Sequence, residues 1–135
     1  PRILIGDTAS NSGKTTFTCA LLQAMKRRGR HIISSLVEHD AVRRPLELLE
    51  AQGFEVTRLQ PDKVGSVSAQ SVLEALREDT VLVSLMMVNN ETGAVTDIHA
   101  IAEALRKAGS SALLHTDAVQ AFRKIPFQAE SWGRI

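Results

Sequence analysis

Tyrosine is missing from this chain, and the other aromatics are few: four Phe and one Trp among 135 residues. So sparse a set excludes a base-stacking surface for single-stranded nucleic acid. A single cysteine, Cys19, allows neither an intrachain disulfide nor a cysteine-based metal site. The histidines His31, His99 and His115 lack metal-ligand spacing, so no metal centre is expected from them. Charge of one sign is not in excess either: 16 Lys and Arg face 15 Asp and Glu, a formal net charge of +1. No strong field draws the chain to nucleic acid or to an anionic membrane. No apolar run approaches membrane-spanning length, and no signal peptide is visible. These absences predict a cytoplasmic protein with neither a nucleic-acid nor a membrane partner.

What is present is a globular pattern in which strand and helix alternate. Arg2–Gly6 reads as a first strand. Phe17, Leu21, Leu22 and Met25 recur at helical spacing before Gly29. His31–Leu36 reads as strand two. A helix over about 42–52 follows, with Pro45 placed in its first turn because proline disrupts a helix interior. Phe54–Leu59 is strand three. Ser68 is an N-cap for the helix carrying Val72, Leu73 and Leu76. Thr80–Val88 is a near-continuous apolar run, as a strand buried on both faces requires. Asp97 caps a further helix carrying Ile98, Ile101, Ala102 and Leu105, and Ser111–Thr116 is strand five. Residues 118–135 have no clear pattern. The alternation predicts one α/β domain over residues 1–135: three layers, a mainly parallel five-stranded sheet, and helices on both faces. Ligands of such sheets bind at the carboxyl ends of the strands. The loop after strand one, His39, the Asn89–Gly93 loop and Asp117 all follow strand ends and should share one rim.

The loop after strand one has the chemistry of a phosphate cradle. Small side chains let backbone N–H groups turn inward, and a helix N-terminus adds partial positive charge. Thr8, Ser10, Asn11, Ser12, Gly13, Lys14, Thr15 and Thr16 are the candidate phosphate- or nucleotide-binding residues. Gly13-Lys14-Thr15 closes the loop like a P-loop, although Thr8 stands where that motif has its first glycine. With a Mg-nucleotide bound, Thr15 and Asp117 are the metal-side candidates; otherwise no metal is expected.

Two family resemblances follow from these residues. Residues 1 to about 29 resemble the P-loop opening of cobyrinic acid a,c-diamide synthases and dethiobiotin synthetases, with Asp7 and Asn11 in place of glycines. Residues 27 to 132 resemble the large domain of cysteine desulfurases, PLP-dependent enzymes of the class V aminotransferase group. The matching stretches include Val37-Glu-His39, Val88-Asn-Asn-Glu-Thr-Gly93 and His115-Thr-Asp-Ala-Val-Gln120. That resemblance implies that His39 stacks on the pyridine ring and that Asp117 pairs with the ring nitrogen. It also implies that Asn90 and Gln120 lie near the phenolic oxygen and the substrate. In that family a Gly-x-Thr-x-Ser turn holds the PLP phosphate, a pattern that Gly6-Asp-Thr-Ala-Ser10 also fits. The family's Schiff-base lysine lies beyond residue 135, and Lys14, Lys26, Lys63, Lys107 and Lys124 stand at no equivalent position.

Taken together, the two resemblances lead to the expectation of an engineered or recombinant α/β chimera. Residues 1–29 would be P-loop-like and 30–135 desulfurase-like, with a seam near Met25–Arg30. Such a chain would have no catalytic turnover and require no cofactor. It would bind phosphate, Mg-ATP or another small anion weakly and would not be expected to bind PLP. The alternatives are a P-loop ATP-binding enzyme of the cobyrinate amidotransferase-synthase type and a vestigial PLP-binding domain. Strand one can pair in two ways, giving order 3-2-4-5-1 or 3-2-1-4-5. Either order leaves sheet edges that favour a homodimer or element swapping.

Overall fold

The computed structural model describes residues 3–6, 29–38, 40–87 and 94–117. Across them run β1 (Ile3–Gly6), β2 (His31–Ser35), α1 (Asp40–Ala51), β3 (Glu55–Leu59), α2 (Ala69–Ala75), β4 (Thr80–Ser84), α3 (Ile98–Lys107) and β5 (Leu113–Asp117). The strands form one five-stranded sheet in the order β1-β5-β4-β2-β3, and every pair in it is parallel. Of the two orders left open by the sequence, this is 3-2-4-5-1. Strand one lies against strand five, not at a Rossmann-like switch point.

Both faces of the sheet are covered, and the core is correspondingly double. On one face Ile32, Leu82 and Leu113 pack with Val42, Leu46 and Leu49 of α1. On the other, Ile33, Val83 and Leu114 meet Val72 of α2 and Ile98, Ile101 and Leu105 of α3. Neighbouring residues Ile32 and Ile33, Leu82 and Val83, and Leu113 and Leu114 feed opposite cores, as a period-two backbone demands. All five residues of β4 are buried, which accounts for the near-continuous apolar run in the sequence. Each fully buried Leu or Ile contributes about 1.5–3 kcal/mol.

The caps follow the sequence. The Ser68 hydroxyl accepts from the Ser71 N–H at 3.1 Å, and the Asp97 carboxylate accepts from the Ala100 N–H at 3.0 Å. The helix α1 differs from expectation. It begins at Asp40, so Pro45 lies inside it rather than in its first turn. Proline there forfeits one backbone hydrogen bond, at a cost of about 3 kcal/mol against alanine. Burial of Val42, Leu46 and Leu49, all under 8% exposed, offsets that loss.

Gly29 holds the entry to β2. A Cβ at this position would lie 2.0 Å from the Asp79 carbonyl oxygen and 2.6 Å from Val81 Cγ1. The backbone is pressed there because the His31 N–H donates to that same Asp79 oxygen at 3.2 Å. Gly53 is the contrasting case: its φ is +100°, but a Cβ would meet only open space. Gly29→Ala is therefore expected to destabilise the fold by about 3 kcal/mol through overpacking against backbone. Gly53→Ala should lose about 1 kcal/mol, the cost of left-handed backbone. Urea unfolding of both variants checks this, and equal losses would refute the close-approach account.

Candidate functional site

The parallel sheet puts the carboxyl ends of all five strands on one edge. At that edge β1 and β5 are in register, with Gly6 beside Asp117. The end of β1 and the strand-end aspartate are thus neighbours. Thr8, Ser10, Asn11, Ser12, Gly13, Lys14, Thr15 and Thr16 lie outside the described residues, as do His39, Asn90 and Gln120. Asp117 is placed by its backbone as the last residue of β5. His39 falls between the described Glu38 and Asp40, and Asn90 between Met87 and Ala94. The elements flanking these positions are all on the predicted rim.

Two loops leave that rim side by side, since β2 and β4 are paired neighbours. The first runs from Ser35 through Glu38 into α1. The second leaves β4 through the buried residues Leu85, Met86 and Met87. The Thr96 N–H donates to the Met87 carbonyl at 2.8 Å, closing the base of the second loop. The Thr96 hydroxyl accepts from the Val67 N–H at 3.2 Å. Glu38 joins the two loops. Its Oε1 accepts from the Ser35 hydroxyl at 2.7 Å and from the Met86 N–H at 2.9 Å. The sequence reading quoted Glu38 only as part of Val37-Glu-His39 and gave it no role. The signal available was a carboxylate directly beside a rim histidine.

Polar side chains also enter the sheet just below the edge. His115 is buried, and its Nδ1 is 2.8 Å from the Ser84 hydroxyl. Burial lowers its pKa to about 4, so the ring is neutral at physiological pH. Ser34 and Thr116 are fully buried, and their hydroxyls have no hydrogen-bond partner among the described residues. At the opposite edge His31 lies between Thr80, 2.7 Å from Nδ1, and Thr57, 2.7 Å from Nε2. Burial, more than the nearby Arg77, lowers its pKa too. No cluster of three or more metal-ligating side chains occurs among the described residues.

The comparisons with known proteins bear on the whole length. The family model described as Aminotransferase class-V matches residues 8–134. A putative cysteine desulfurase, IscS 1 of Bacillus subtilis, is 48% identical over 108 residues, covering 80% of this chain and 28% of that protein. The cysteine desulfurase IscS of Acinetobacter baumannii is 42% identical over 126 residues, covering 93% of this chain and 31% of that protein. Among solved structures, DndA from Streptomyces lividans superposes with a TM-score of 0.75 at 42% identity, over 84% of this chain and 31% of that one. A NifS-like protein gives 0.81 at 31% identity, over 90% of this chain and 34% of that one. The chain thus spans about a third of the length of the relatives it matches.

These matches overturn the chimera reading. The family model enters at Thr8 and runs unbroken through the supposed seam at 25–30. Nothing supports the cobyrinate-synthase P-loop alternative either. The physical reason is that Gly13-Lys14-Thr15-Thr16 is only the closing half of a P-loop, and small residues after a strand suit any bound phosphate. The expectation that no cofactor is required and that PLP is not bound falls with it. The relatives are cysteine desulfurases, the PLP-dependent group, over 93% of this chain.

The buried histidines set a pH dependence. A pKa lowered in the fold means that the unfolded chain binds more protons below its ordinary value of 6.5. Stability should therefore be constant above pH 7 and fall between about 6.5 and about 4. His115 alone should remove about 2 kcal/mol by pH 4.5, and His31 should add loss of the same sign. Urea midpoints at pH 7.5 and 4.5 measure the drop. His115→Asn keeps an acceptor for Ser84 and should make it shallower; an unchanged drop would refute the assignment.

Proposed function

Because the chain belongs to the aminotransferase class-V family, we propose that it forms the PLP-holding platform of a cysteine desulfurase whose substrate is cysteine. The observation that carries this reading is a family match over residues 8–134 on a sheet whose register sets Gly6 beside Asp117. PLP has an anionic phosphate and, on its ring, a nitrogen that carries a proton. Its holder needs an anion cradle and a carboxylate close together. The register sets Gly6, where the Gly-x-Thr-x-Ser stretch begins, beside Asp117 at the strand spacing of about 4.8 Å, and these residue types suit the cofactor.

In this reading the Gly6-Asp-Thr-Ala-Ser10 turn holds the phosphate through backbone N–H groups and the hydroxyls of Thr8 and Ser10. Asp117 pairs with the ring nitrogen and keeps its proton in place. His39 covers one face of the ring and limits water on that side. Asn90 and Gln120 donate toward the phenolic oxygen and orient the substrate. When bound, the cofactor supplies an electron sink for the bonds at the substrate's α-carbon. The relatives' printed activity, cysteine desulfurase, supports cysteine as the amino acid accepted.

Titration of the chain with PLP, followed by circular dichroism in the cofactor's absorption band, tests the platform. Free PLP is achiral, so a signal appears only on binding in an asymmetric site. Asp117→Asn should weaken binding about tenfold, or 1.4 kcal/mol. No signal at millimolar PLP, or an unaffected Asp117→Asn, would count against the reading. The reaction is tested by replacing the matching segment of the Acinetobacter baumannii relative with residues 8–134. Supplied with a thiol reductant that takes up the sulfur, that hybrid should convert cysteine to alanine and sulfide, the thiol leaving as its disulfide. A folded, PLP-loaded hybrid that releases no sulfide excludes the desulfurase assignment.

A further inference from the structure

We propose that Glu38 is a positioning residue that ties the segment leaving β2, just ahead of His39, to the segment leaving β4, ahead of Asn90, on the rim where the cofactor is proposed to sit. The inference rests on the PLP reading for its functional consequence, but its geometry is independent of that reading. Glu38 is 8% exposed, an uncommon degree of burial for a carboxylate without a specific partner. One of its oxygens takes two hydrogen bonds, from the Ser35 hydroxyl at 2.7 Å and the Met86 N–H at 2.9 Å.

Those two donors belong to different loops. Ser35 is the last residue of β2 and Glu38 precedes His39 directly, so one end of the clamp is the stem of the histidine loop. Met86 lies two residues beyond β4. It adjoins Met87, whose carbonyl closes the base of the 88–93 loop through the Thr96 N–H. A single side chain therefore spans 48 residues of sequence to tie both stems. Ser35, Glu38, Leu85, Met86, Ala94 and Thr96 line one narrow seam around it. Truncating the side chain would leave the buried Met86 N–H without this acceptor, and an unsatisfied buried donor costs about 1–3 kcal/mol.

A residue that merely satisfied the Met86 N–H would stabilise the fold without coupling the loops. Amide hydrogen exchange separates the two cases. The 135-residue chain is compared with Glu38→Ala, Glu38→Gln and Ser35→Ala, following peptides that cover 36–41 and 86–95, with the α3 peptide as an internal control. PLP affinity is read in parallel from the induced circular dichroism. Glu38→Ala should speed exchange in both loop peptides together while leaving α3 protected, and should weaken PLP about tenfold. Glu38→Gln still presents an acceptor oxygen and should recover most of both effects. Ser35→Ala should fall between them in both measurements.

Faster exchange in only one loop, or PLP affinity within about twofold of the parent despite loosened loops, overturns the proposal. If Glu38→Ala does not fold, Ser35→Ala decides by the same two criteria. If the parent chain binds no PLP, the proposed function fails. Exchange then decides the clamp alone, because that measurement needs no cofactor.

Discussion

The parallel direction of all five strands is the constraint from which the rest of this structure follows. Parallel neighbours cannot be joined by tight turns, so each connection must cross a face of the sheet and cover it. The helix α1 lies on one side and α2 and α3 on the other, and two cores result. The same constraint collects every strand's carboxyl end on one edge. The strand β5 is the critical member, because it pairs with β1 on one flank and β4 on the other. Without it, the end of β1 at Gly6 would have no fixed relation to the ends of β2 and β4.

Much of this was legible in the sequence because periodicity reports burial. Thr80–Val88 reads as a strand buried on both faces since most of its side chains are apolar, and the strand found within it, Thr80–Ser84, is buried throughout. Ser68 and Asp97 read as caps because a short side-chain oxygen before a helical run has one job to do. Strand order was only half legible. An apolar strand such as Ile3–Gly6 shows which residues go inward but not which neighbour it pairs with, so two orders fitted equally well. Pro45 misled the reading of α1 because local propensity was weighed without the tertiary burial of Val42, Leu46 and Leu49, which overrides it.

The misreading of the opening stretch has a different origin. A phosphate is recognised by inward backbone N–H groups and hydroxyls, whether it ends a nucleotide or a pyridine cofactor. Thr8, Ser10, Lys14 and Thr15 therefore announce an anion without naming its other end. What assigns the stretch is the family match over residues 8–134. In the function proposed above, Asp117, set beside Gly6 by the register, is the partner of the ring nitrogen. A half-motif invites assignment to a second family; the match along the whole stretch restores one.

The buried polar groups could not be read from sequence at all, since their partners are far away along the chain. Ser84 meets His115 across 31 residues, and Glu38 reaches Met86 across 48. Their distribution along the strands nonetheless separates the two edges of the sheet. At the amino edge His31 has a hydroxyl at each ring nitrogen, a closed network that needs nothing further. Near the carboxyl edge the hydroxyls of Ser34 and Thr116 are fully buried and unmatched among the described residues. Other polar groups near that edge are matched, Ser84 with His115 and Glu38 with Ser35 and Met86. Both edges thus spend polar groups on the fold by joining segments that are remote in sequence, and the carboxyl edge does so below the rim where Gly6 and Asp117 meet.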